Sequence, residues 1–441
     1  MNTTMELDGI DLSTHPFGWM LLLIFLIGYY FIVREDKYHL DKSKPALFIG
    51  TFMFILIGGF YAFYGLNFIP FKREITQLVY EIAEIFFFLF VAMTFIEALI
   101  ERGVFNALKG KLIAKGYSYR ELFWITGFLA FFISPMAGNL ATALILSTVL
   151  VTIERKNKAF LVPGAMNVVV AANAGGVWSP FGDITTLMAW TAHKANFSDF
   201  LYLFPAAFIG WMVTAYLLVR YVPNLDPNKE GDPKLAEKIE ILKGGKVIVV
   251  IGIATIAISV IAKQVMHLPP MWGMLFGLSV LQLYTYRLKQ RHKQDVNIFK
   301  SISKVENNTL LFFFGILAAV GALYFAGFLG YVSKLYDVYN PTYVNIGVGF
   351  ISAVIDNVPV MSAVLKANPA IDYVQWMLLT LTAGVGGSLI SFGSAAGVGV
   401  MGKLHGIYTF SSHIKLAWTV LIGYMVSIAV WYLQFIVLGV Y

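Results

Sequence analysis

The sequence predicts an all-α polytopic membrane protein, built as an inverted repeat with two re-entrant helical hairpins and two discontinuous helices. Of its 441 residues, 58% are apolar and only 13% are charged, about half the charged fraction of soluble domains. The apolar residues form runs that approach the roughly 20 residues needed to cross a bilayer, and Lys and Arg lie between those runs. A soluble enzyme is therefore excluded. The lack of cysteine also excludes disulfides and thiolate metal sites.

The first apolar run, 17–33, follows an acidic segment without Lys or Arg, so we expect a retained span and not a signal peptide. Four basic residues lie between 34 and 44. Because short cytoplasmic loops collect Lys and Arg, the N-terminus is placed outside and this loop inside. Further spans are predicted near 45–69 and 76–100. Residues 1–75 are expected to form N-terminal scaffold spans.

A first repeat is expected over 76–221. Two apolar arms, 121–133 and 140–153, flank the sequence SPMAGN, and basic residues lie at both outer ends. Helical arms of this length rise only about 20 Å, short of the roughly 30 Å hydrocarbon core. The segment about 121–153 is therefore predicted to be a re-entrant hairpin that opens from the cytoplasm. The next crossing, about 159–194, contains NAGGVWSPFGD, whose Gly and Pro residues predict a break in the helix.

The region 222–304 is expected to supply cytoplasmic loops and linking scaffold spans, and 305–441 a second repeat. A second hairpin, about 342–373, has its tip at 356–359 and opens from outside, and a second broken crossing, about 374–404, contains GVGGSLISFGS. We predict ten crossings, with the N-terminus and C-terminus both outside. The crossings after the first hairpin are 159–194, 200–221, 247–265, 270–286, 307–332, 374–404 and 414–438.

The two halves repeat each other. FISPMAGN at 132–139 matches FISAVIDN at 350–357 in Phe, Ile, Ser and Asn, and AANAGGVWSPFGD at 171–183 matches TAGVGGSLISFGS at 382–394 at five positions. The hairpins open to opposite sides, so the halves are related by an in-plane pseudo-twofold axis, as in many secondary transporters. Close packing through small residues is the alternative explanation of the glycines.

Interrupted backbone is tolerated at membrane depth only beside protein or a polar cavity, so the four breaks are expected to meet at one polar centre. Each break also carries side-chain oxygens, which we take as ion ligands. The candidate ion-binding residues are Ser134, Asn139, Thr142, Asn173, Asp183, Thr185, Thr186, Ser352, Asp356, Asn357, Ser391 and Ser394.

Five carboxylates are predicted at membrane depth, with no Lys or Arg alongside: Glu81, Glu84, Glu97, Asp183 and Asp356. An intramembrane acid costs about 2.5–3.5 kcal/mol, which makes each one a functional hypothesis. Carboxylate and amide oxygens suit a hard cation, and we infer sodium. Its predicted ligands are Asn139, Asn173, Asp183, Asp356 and Asn357.

The same acids are predicted to carry protons, because desolvation raises the pKa of a carboxyl group and a bound cation lowers it. Competition between sodium and protons at Asp183 and Asp356 would couple the two. Glu84 is either a proton relay or a partnered acid, whereas Glu81 is expected to stabilise packing. The histidines His193, His267, His405 and His413 lie at span ends, where we expect plain interfacial side chains.

Several segments resemble the NhaD-type sodium/proton antiporters, a branch of the ion transporter superfamily that includes arsenite pumps and divalent-anion/sodium symporters. They are EIAEIFFFLFVAMTFIE at 81–97, NAGGVWSPFGDITTLMAW at 173–190, DNVPVMSAVL at 356–365 and SLISFGSAAGVGVMG at 388–402. The resemblance covers nearly the whole chain. It implies ion binding and proton coupling at Glu84 and at the candidate residues above other than Thr142.

The resemblance further implies exchange of sodium, with lithium as a second candidate, for protons across the bacterial inner membrane. No cofactor is expected beyond the transported Na⁺ and H⁺. The expected partners are the lipid bilayer, small cations and a second copy in a homodimer with an elevator-like movement, and no nucleic acid. One departure concerns the first tip, which reads Gly138–Asn139 where relatives have Asp–Asn. A sodium-coupled anion symporter or an arsenite transporter on the same scaffold is the alternative.

Overall fold

The computed structural model describes residues 11–38, 40–107, 110, 116–154, 156–225, 241–292, 297–391 and 393–440. Within these residues the regular secondary structure is helical and no strand occurs. The predicted loop segments 111–115, 226–240 and 293–296, and most of the acidic N-terminal segment, lie outside the described residues.

The helices are numbered in chain order, and two short 3₁₀ segments, Phe197–Leu203 and Val219–Tyr221, flank α9. The final helix continues into a π-helical turn at Tyr432–Val437. The helices are α1 Pro16–Val33, α2 Glu35–Tyr38, α3 Ser43–Phe63, α4 Phe68–Glu101, α5 Tyr119–Ala137, α6 Asn139–Ile153, α7 Lys158–Gly176, α8 Ile184–Thr191, α9 Phe204–Leu218, α10 Gly245–Gln264, α11 Pro270–His292, α12 Ile298–Ser303, α13 Asn307–Phe325, α14 Gly330–Val338, α15 Pro341–Val354, α16 Asn357–Ala367, α17 Tyr373–Gly386, α18 Ala395–Lys403, α19 Phe410–Ile414 and α20 Ala417–Trp431.

Eight helical segments of the described chain are long and apolar enough to cross a bilayer. They are Pro16–Val33, Ser43–Phe63, Phe68–Glu101, Lys158–Gly176, Phe197–Tyr221, Gly245–Gln264, Asn307–Phe325 and Ala417–Val437. Large apolar side chains on these helices are exposed, such as Ile55 and Val250. Such surfaces suit contact with lipid, so the chain is a multi-pass membrane protein.

The two remaining predicted crossings differ from these eight. The helix α11 ends in polar, basic turns that contain Arg287, Lys289 and Arg291. The crossing near 374–404 is divided between α17 and α18, and neither piece is long enough to span alone. That these two segments cross the membrane therefore remains a prediction.

The described residues divide into two compact units. The first consists of Met1–Leu89, Glu306–Pro341 and Met361–Ile371. Its helices approach one another closely at glycines: Gly50 of α3 faces the Gly315 carbonyl of α13, and Gly28 of α1 faces Ile49. Small residues let membrane helices pack at short separation, where van der Waals contact stabilises them.

The second unit comprises Phe90–Val305, Thr342–Val360 and Asp372–Tyr441. It contains both predicted broken helices, α7 with α8 and α17 with α18. Here too small residues set the packing, because Gly210 of α9 faces Gly423 of α20 and Gly277 of α11 faces Thr255 of α10. All candidate site residues except Glu84 belong to this unit.

The predicted boundaries of the first helix pair were wrong in one respect. The first arm does not stop before SPMAGN, because α5 continues through Pro135 to Ala137 and only Gly138 interrupts the pair. Pro135 cannot donate to the Phe131 carbonyl, and Gly175 packs against that carbonyl. With 19 residues, α5 is about 28 Å long, so the short-arm argument for a re-entrant hairpin applies to α6 and not to α5.

The second pair also differs in detail from the prediction. Its tip is Ile355–Asp356, shorter than the predicted 356–359, because α16 already begins at Asn357. Pro359 is the third residue of α16, where its missing N–H is one of the unpaired helix donors in any case. The second arm ends at Ala367, and α17 begins separately at Tyr373.

The two repeats make the same local contacts. The Ser134 hydroxyl donates to the Ala172 carbonyl at 2.6 Å, and its counterpart Ser352 donates to the Ala383 carbonyl at 2.8 Å. Glycines correspond as well, because Gly175 packs on the Phe131 carbonyl and Gly386 packs on the Gly349 carbonyl. A repeat recognised from short motifs is therefore matched by repeated packing between each arm and its broken helix.

These glycine contacts predict a stability difference between two positions. In Gly386→Ala the added methyl group would collide with the Gly349 carbonyl, and overpacking of this kind costs about 1–3 kcal/mol. We expect a lower melting temperature of the purified protein in detergent. Gly347→Ala on α15 is the matched control, because no atom lies within 4 Å of the added carbon. Equal melting temperatures for the two variants would contradict the packing role.

Candidate ion-binding site

Four helices begin at predicted site residues, and all four of these residues belong to the second unit. Asn139 and Asn357 are the first residues of α6 and α16, while Asp183 and Ser394 are the N-cap residues of α8 and α18. All four side chains are buried, with at most 7% of their surface exposed. The breaks predicted from Gly and Pro therefore place polar side chains together inside the protein.

Asp183 lies at the centre of this cluster. Its Oδ2 accepts hydrogen bonds from the side-chain amides of Asn139 at 2.7 Å and Asn357 at 3.2 Å. Its Oδ1 accepts from the backbone N–H of Thr185 at 3.1 Å. Among the described residues, Asp183 has no Lys or Arg at ion-pair distance, so neutral donors alone surround a buried carboxyl group.

Asn173, at the end of α7, connects both repeats. Its Oδ1 accepts from Asn139 at 3.0 Å, and its Nδ2 donates to the hydroxyls of Ser388 and Ser394 at 2.8 Å each. Its side chain is fully buried. Ser388 is not among the candidate ligands predicted from the sequence, although it lies in the second break.

Asp356 lies near Asp183, within range of electrostatic interaction with it. It immediately precedes Asn357, whose amide donates to Asp183. Its Oδ1 accepts weakly from the Val358 backbone N–H at 3.5 Å. The structure thus brings together both acids that the sequence singled out in the breaks, one from each repeat.

Three predicted hydroxyls are buried: those of Thr142 and Ser391 have no hydrogen-bond partner among the described residues, and that of Thr185 lies beside the Asp183 carboxyl group. A buried polar group without a partner costs about 1–3 kcal/mol, so it calls for an explanation such as an ion or water. Two of them, Thr185 and Ser391, belong to the segments on which the network is built. They are available as neutral oxygen ligands.

The other candidates have different positions. Ser134 and Ser352 hold the arms against the broken helices, as described above. The Thr186 hydroxyl donates to the Asp183 backbone carbonyl at 2.7 Å and completes the cap of α8. Glu84 is buried on α4, in the first unit.

The prediction that no Lys or Arg accompanies the intramembrane acids was wrong for Glu81. Lys366 of α16 forms an ion pair with Glu81 of α4 in the first unit, and Glu74 lies 3.9 Å from the same ammonium group. A lysine on an apolar segment can pair with an acid that is distant in the sequence, which the local pattern does not show. Glu81 is therefore a partnered acid, in agreement with its predicted packing role.

Comparison with known proteins identifies the family. A 40% identical relative from Vibrio cholerae, matched over 97% of this chain and 94% of its own length, is named Na(+)/H(+) antiporter NhaD. A relative of the same name from Alkalimonas amylolytica is 41% identical over 96% of this chain and 91% of its own. The chain belongs to the NhaD sodium/proton antiporter family. A plant member, "Sodium/proton antiporter 1" of Arabidopsis thaliana, is 30% identical over 87% of this chain and 66% of its own.

Two broader comparisons agree with this membership. Residues 21–386 match the CitMHS family, described as citrate transporter. The crystal structure of the Alcanivorax borkumensis YdaH transporter superposes with a TM-score of 0.52 at 12% identity and covers 90% of this chain and 99% of its own. At this identity the likeness concerns the fold alone, and it supports a helical transporter architecture.

The paired caps separate the structural role of Asp183 from its charge. Ser394 caps α18 with a hydroxyl that accepts from the Gly397 N–H at 3.2 Å, so a neutral side chain suffices at this position of the repeat. Ser, Asn and Asp cap helices about equally well, whereas Ala costs about 0.5–2 kcal/mol. We expect Asp183→Ser to melt close to the wild type and Asp183→Ala to melt lower. A large loss in both variants would show that the carboxylate itself stabilises the fold.

The first tip predicts a second conformational effect. Gly138 has φ 81° and ψ 152°, a region that residues with a side chain adopt at a cost of about 1–3 kcal/mol. No atom lies within 4 Å of an added Cβ, so the loss of stability would come from the backbone conformation and not from a steric clash. Gly138→Ala and Gly138→Asp are expected to lower the melting temperature equally. A wild-type melting temperature for Gly138→Ala would show that the tip relaxes freely.

Proposed function

We propose that this protein is a secondary transporter that exchanges sodium, and lithium as a second cation, for protons across the bacterial inner membrane. The observation that carries the proposal is the buried carboxyl group of Asp183. It accepts from side-chain and backbone amides, and among the described residues no Lys or Arg lies at ion-pair distance from it. Membership of the NhaD family supports it.

The chemistry of the cluster suits an alkali cation. Asp183, Asn173 and Asn139 supply carboxylate and amide oxygens from three different segments, and the hydroxyls of Thr185 and Ser391 add neutral oxygens. Hard cations prefer such oxygen ligands. In this proposal the side-chain amides that now donate to Asp183 turn their oxygens toward the ion when it binds.

Proton coupling follows from the two acids. Two ionised carboxylates close together in a buried site repel each other, and a cation between Asp183 and Asp356 would remove that repulsion. When the cation leaves, a proton can replace it on the same oxygens. Binding of one ligand therefore opposes binding of the other, and exposure of the site to each side in turn gives exchange.

The anion-transport alternative has less support. The CitMHS description names citrate. Four helix N-termini lie at this cluster, and helix N-termini favour anions. However, a citrate carboxylate would meet two like-charged side chains here. The relatives of about 40% identity are named sodium/proton antiporters, which favours exchange over symport or arsenite transport.

The membrane arrangement is part of the same proposal. The α5–α6 and α15–α16 pairs would enter the bilayer from opposite sides as re-entrant hairpins, related by an in-plane pseudo-twofold axis. Both termini would face outward, residues 1–75 and 222–304 would form the scaffold, and the two repeats would carry the site. A homodimer with elevator-like movement is proposed from the family resemblance.

Transport by purified protein in liposomes tests the proposal. Addition of sodium to acid-loaded vesicles is expected to dissipate the pH gradient, measured by dequenching of a pH-sensitive dye, without any organic anion or oxyanion. Asp183→Asn keeps a competent helix cap but removes the charge, so its rate is expected to fall to that of protein-free vesicles. Asp356→Asn is expected to do the same.

Asp337→Asn is the matched control, because Asp337 is an exposed acid of α14 in the first unit. It is expected to exchange at the wild-type rate. Unchanged exchange in Asp183→Asn would remove this carboxyl group from the mechanism, and a requirement for an added anion would overturn antiport in favour of symport.

A further inference from the structure

His413 differs from the other histidines at span ends. The sequence predicts an interfacial side chain, but the structure buries His413 completely, with 0% of its surface exposed. It lies on the short helix α19. His405, on the connection between α18 and α19, is exposed. Position in the sequence could not distinguish the two, because burial here depends on packing against the second break.

Both ring nitrogens of His413 are engaged. Nε2 lies 3.2 Å from the Leu389 carbonyl oxygen. Nδ1 lies 2.6 Å from the Tyr408 hydroxyl. A carbonyl only accepts, so Nε2 carries the hydrogen, and Nδ1 accepts from Tyr408. The neutral ring is thereby held in one tautomer.

The carbonyl that His413 holds lies within the second break, between Gly386 at the end of α17 and Ala395 at the start of α18. Carbonyls at a helix C-terminus lack an intrahelical donor, and in a membrane no water replaces it. The ring N–H of His413 therefore supplies the hydrogen-bond donor that the broken helix lacks at the Leu389 carbonyl. The first break is held by different means, because there the Ser179 hydroxyl donates to the Pro135 carbonyl.

This contact is connected to the site through Ser388, the residue before Leu389. The Ser388 hydroxyl accepts from Asn173, and the Asn173 oxygen accepts from Asn139, which donates to Asp183. The orientation of the Asn173 amide thus depends on where the second break places Ser388. A shift of the Leu389 peptide would move an anchor of the network without touching the carboxyl group.

We infer that His413 is a positioning residue for cation binding, which fixes the second break through the Leu389 carbonyl and thereby sets the geometry of Asn173 in the site. Tyr408 assists by fixing the tautomer of the ring. This inference rests on the proposed function, and it concerns sodium affinity more than turnover.

The test compares the sodium dependence of exchange in four variants reconstituted in liposomes. His413→Ala is expected to raise the apparent KM for sodium about tenfold with kcat within about twofold, because a displaced ligand weakens binding before it slows turnover. His413→Gln, which offers an N–H at a similar position, is expected to restore most of the affinity. Tyr408→Phe should raise KM by about threefold, and His405→Ala, the matched control, should leave it unchanged.

The pH profile adds a readout that distinguishes a neutral positioning residue from a titrating one. Since His413 acts as a neutral donor, the profile of His413→Gln is expected to match the wild type at saturating sodium. A wild-type KM in His413→Ala, or a loss confined to kcat or to the amount of folded protein, would overturn the inference. A displaced pH profile in His413→Gln would overturn it as well, because it would make the ring a titrating group.

If His413→Ala does not fold, the KM of Tyr408→Phe decides, and an unchanged value would reject the positioning role. Failure of the proposed function has a different signature, because the wild type itself would then show no exchange with sodium alone. A wild type that exchanges, with no change in KM in the variants, leaves antiport standing and rejects only the role of His413.

Discussion

The structure depends on one constraint: a helix broken within a membrane must satisfy its free backbone groups without water. Here the breaks are stabilised by side chains from neighbouring segments. Asp183 and Ser394 cap the N-termini of α8 and α18, and His413 donates to the second break. Ser134 and Ser352 fasten the arms to α7 and α17. The residues that make the breaks possible thus also concentrate polar oxygens in an apolar molecule.

This arrangement explains why structural roles and the proposed ion-binding roles overlap at the site. Asp183 is both a helix cap and the central carboxyl group of the cluster, and Asn139 both begins α6 and donates to Asp183. A substitution that removes a side chain would disturb fold and chemistry together. Replacement of Asp by Asn or Ser at a cap position leaves the first role largely intact, so only such exchanges can report on the charge.

The sequence predicted the positions of both breaks because Gly, Pro and the repeated motifs are local signals. It placed Asp183, Asn173 and Asn357 near one centre for the same reason. It failed where the outcome depended on a distant partner. Lys366 pairs with Glu81 across two helices, and His413 is buried by the second break. The first arm was predicted to end before SPMAGN, whereas α5 continues through Pro135, and Gly175 packs against the carbonyl that Pro135 leaves unbonded.

The repeat duplicates contacts but not charge. At the cap position the first repeat has Asp183 and the second Ser394, while at the tip the first has Gly138 and the second Asp356. Each repeat therefore contributes one acid, from a different element. The residue that corresponds to Asp183 in the other repeat is a serine, and the residue that corresponds to Asp356 is a glycine. The φ of 81° at this glycine disfavours any side chain. In the proposed mechanism the two acids therefore form one composite site, in which a single cation faces both carboxylates, instead of two equivalent sites that each hold one.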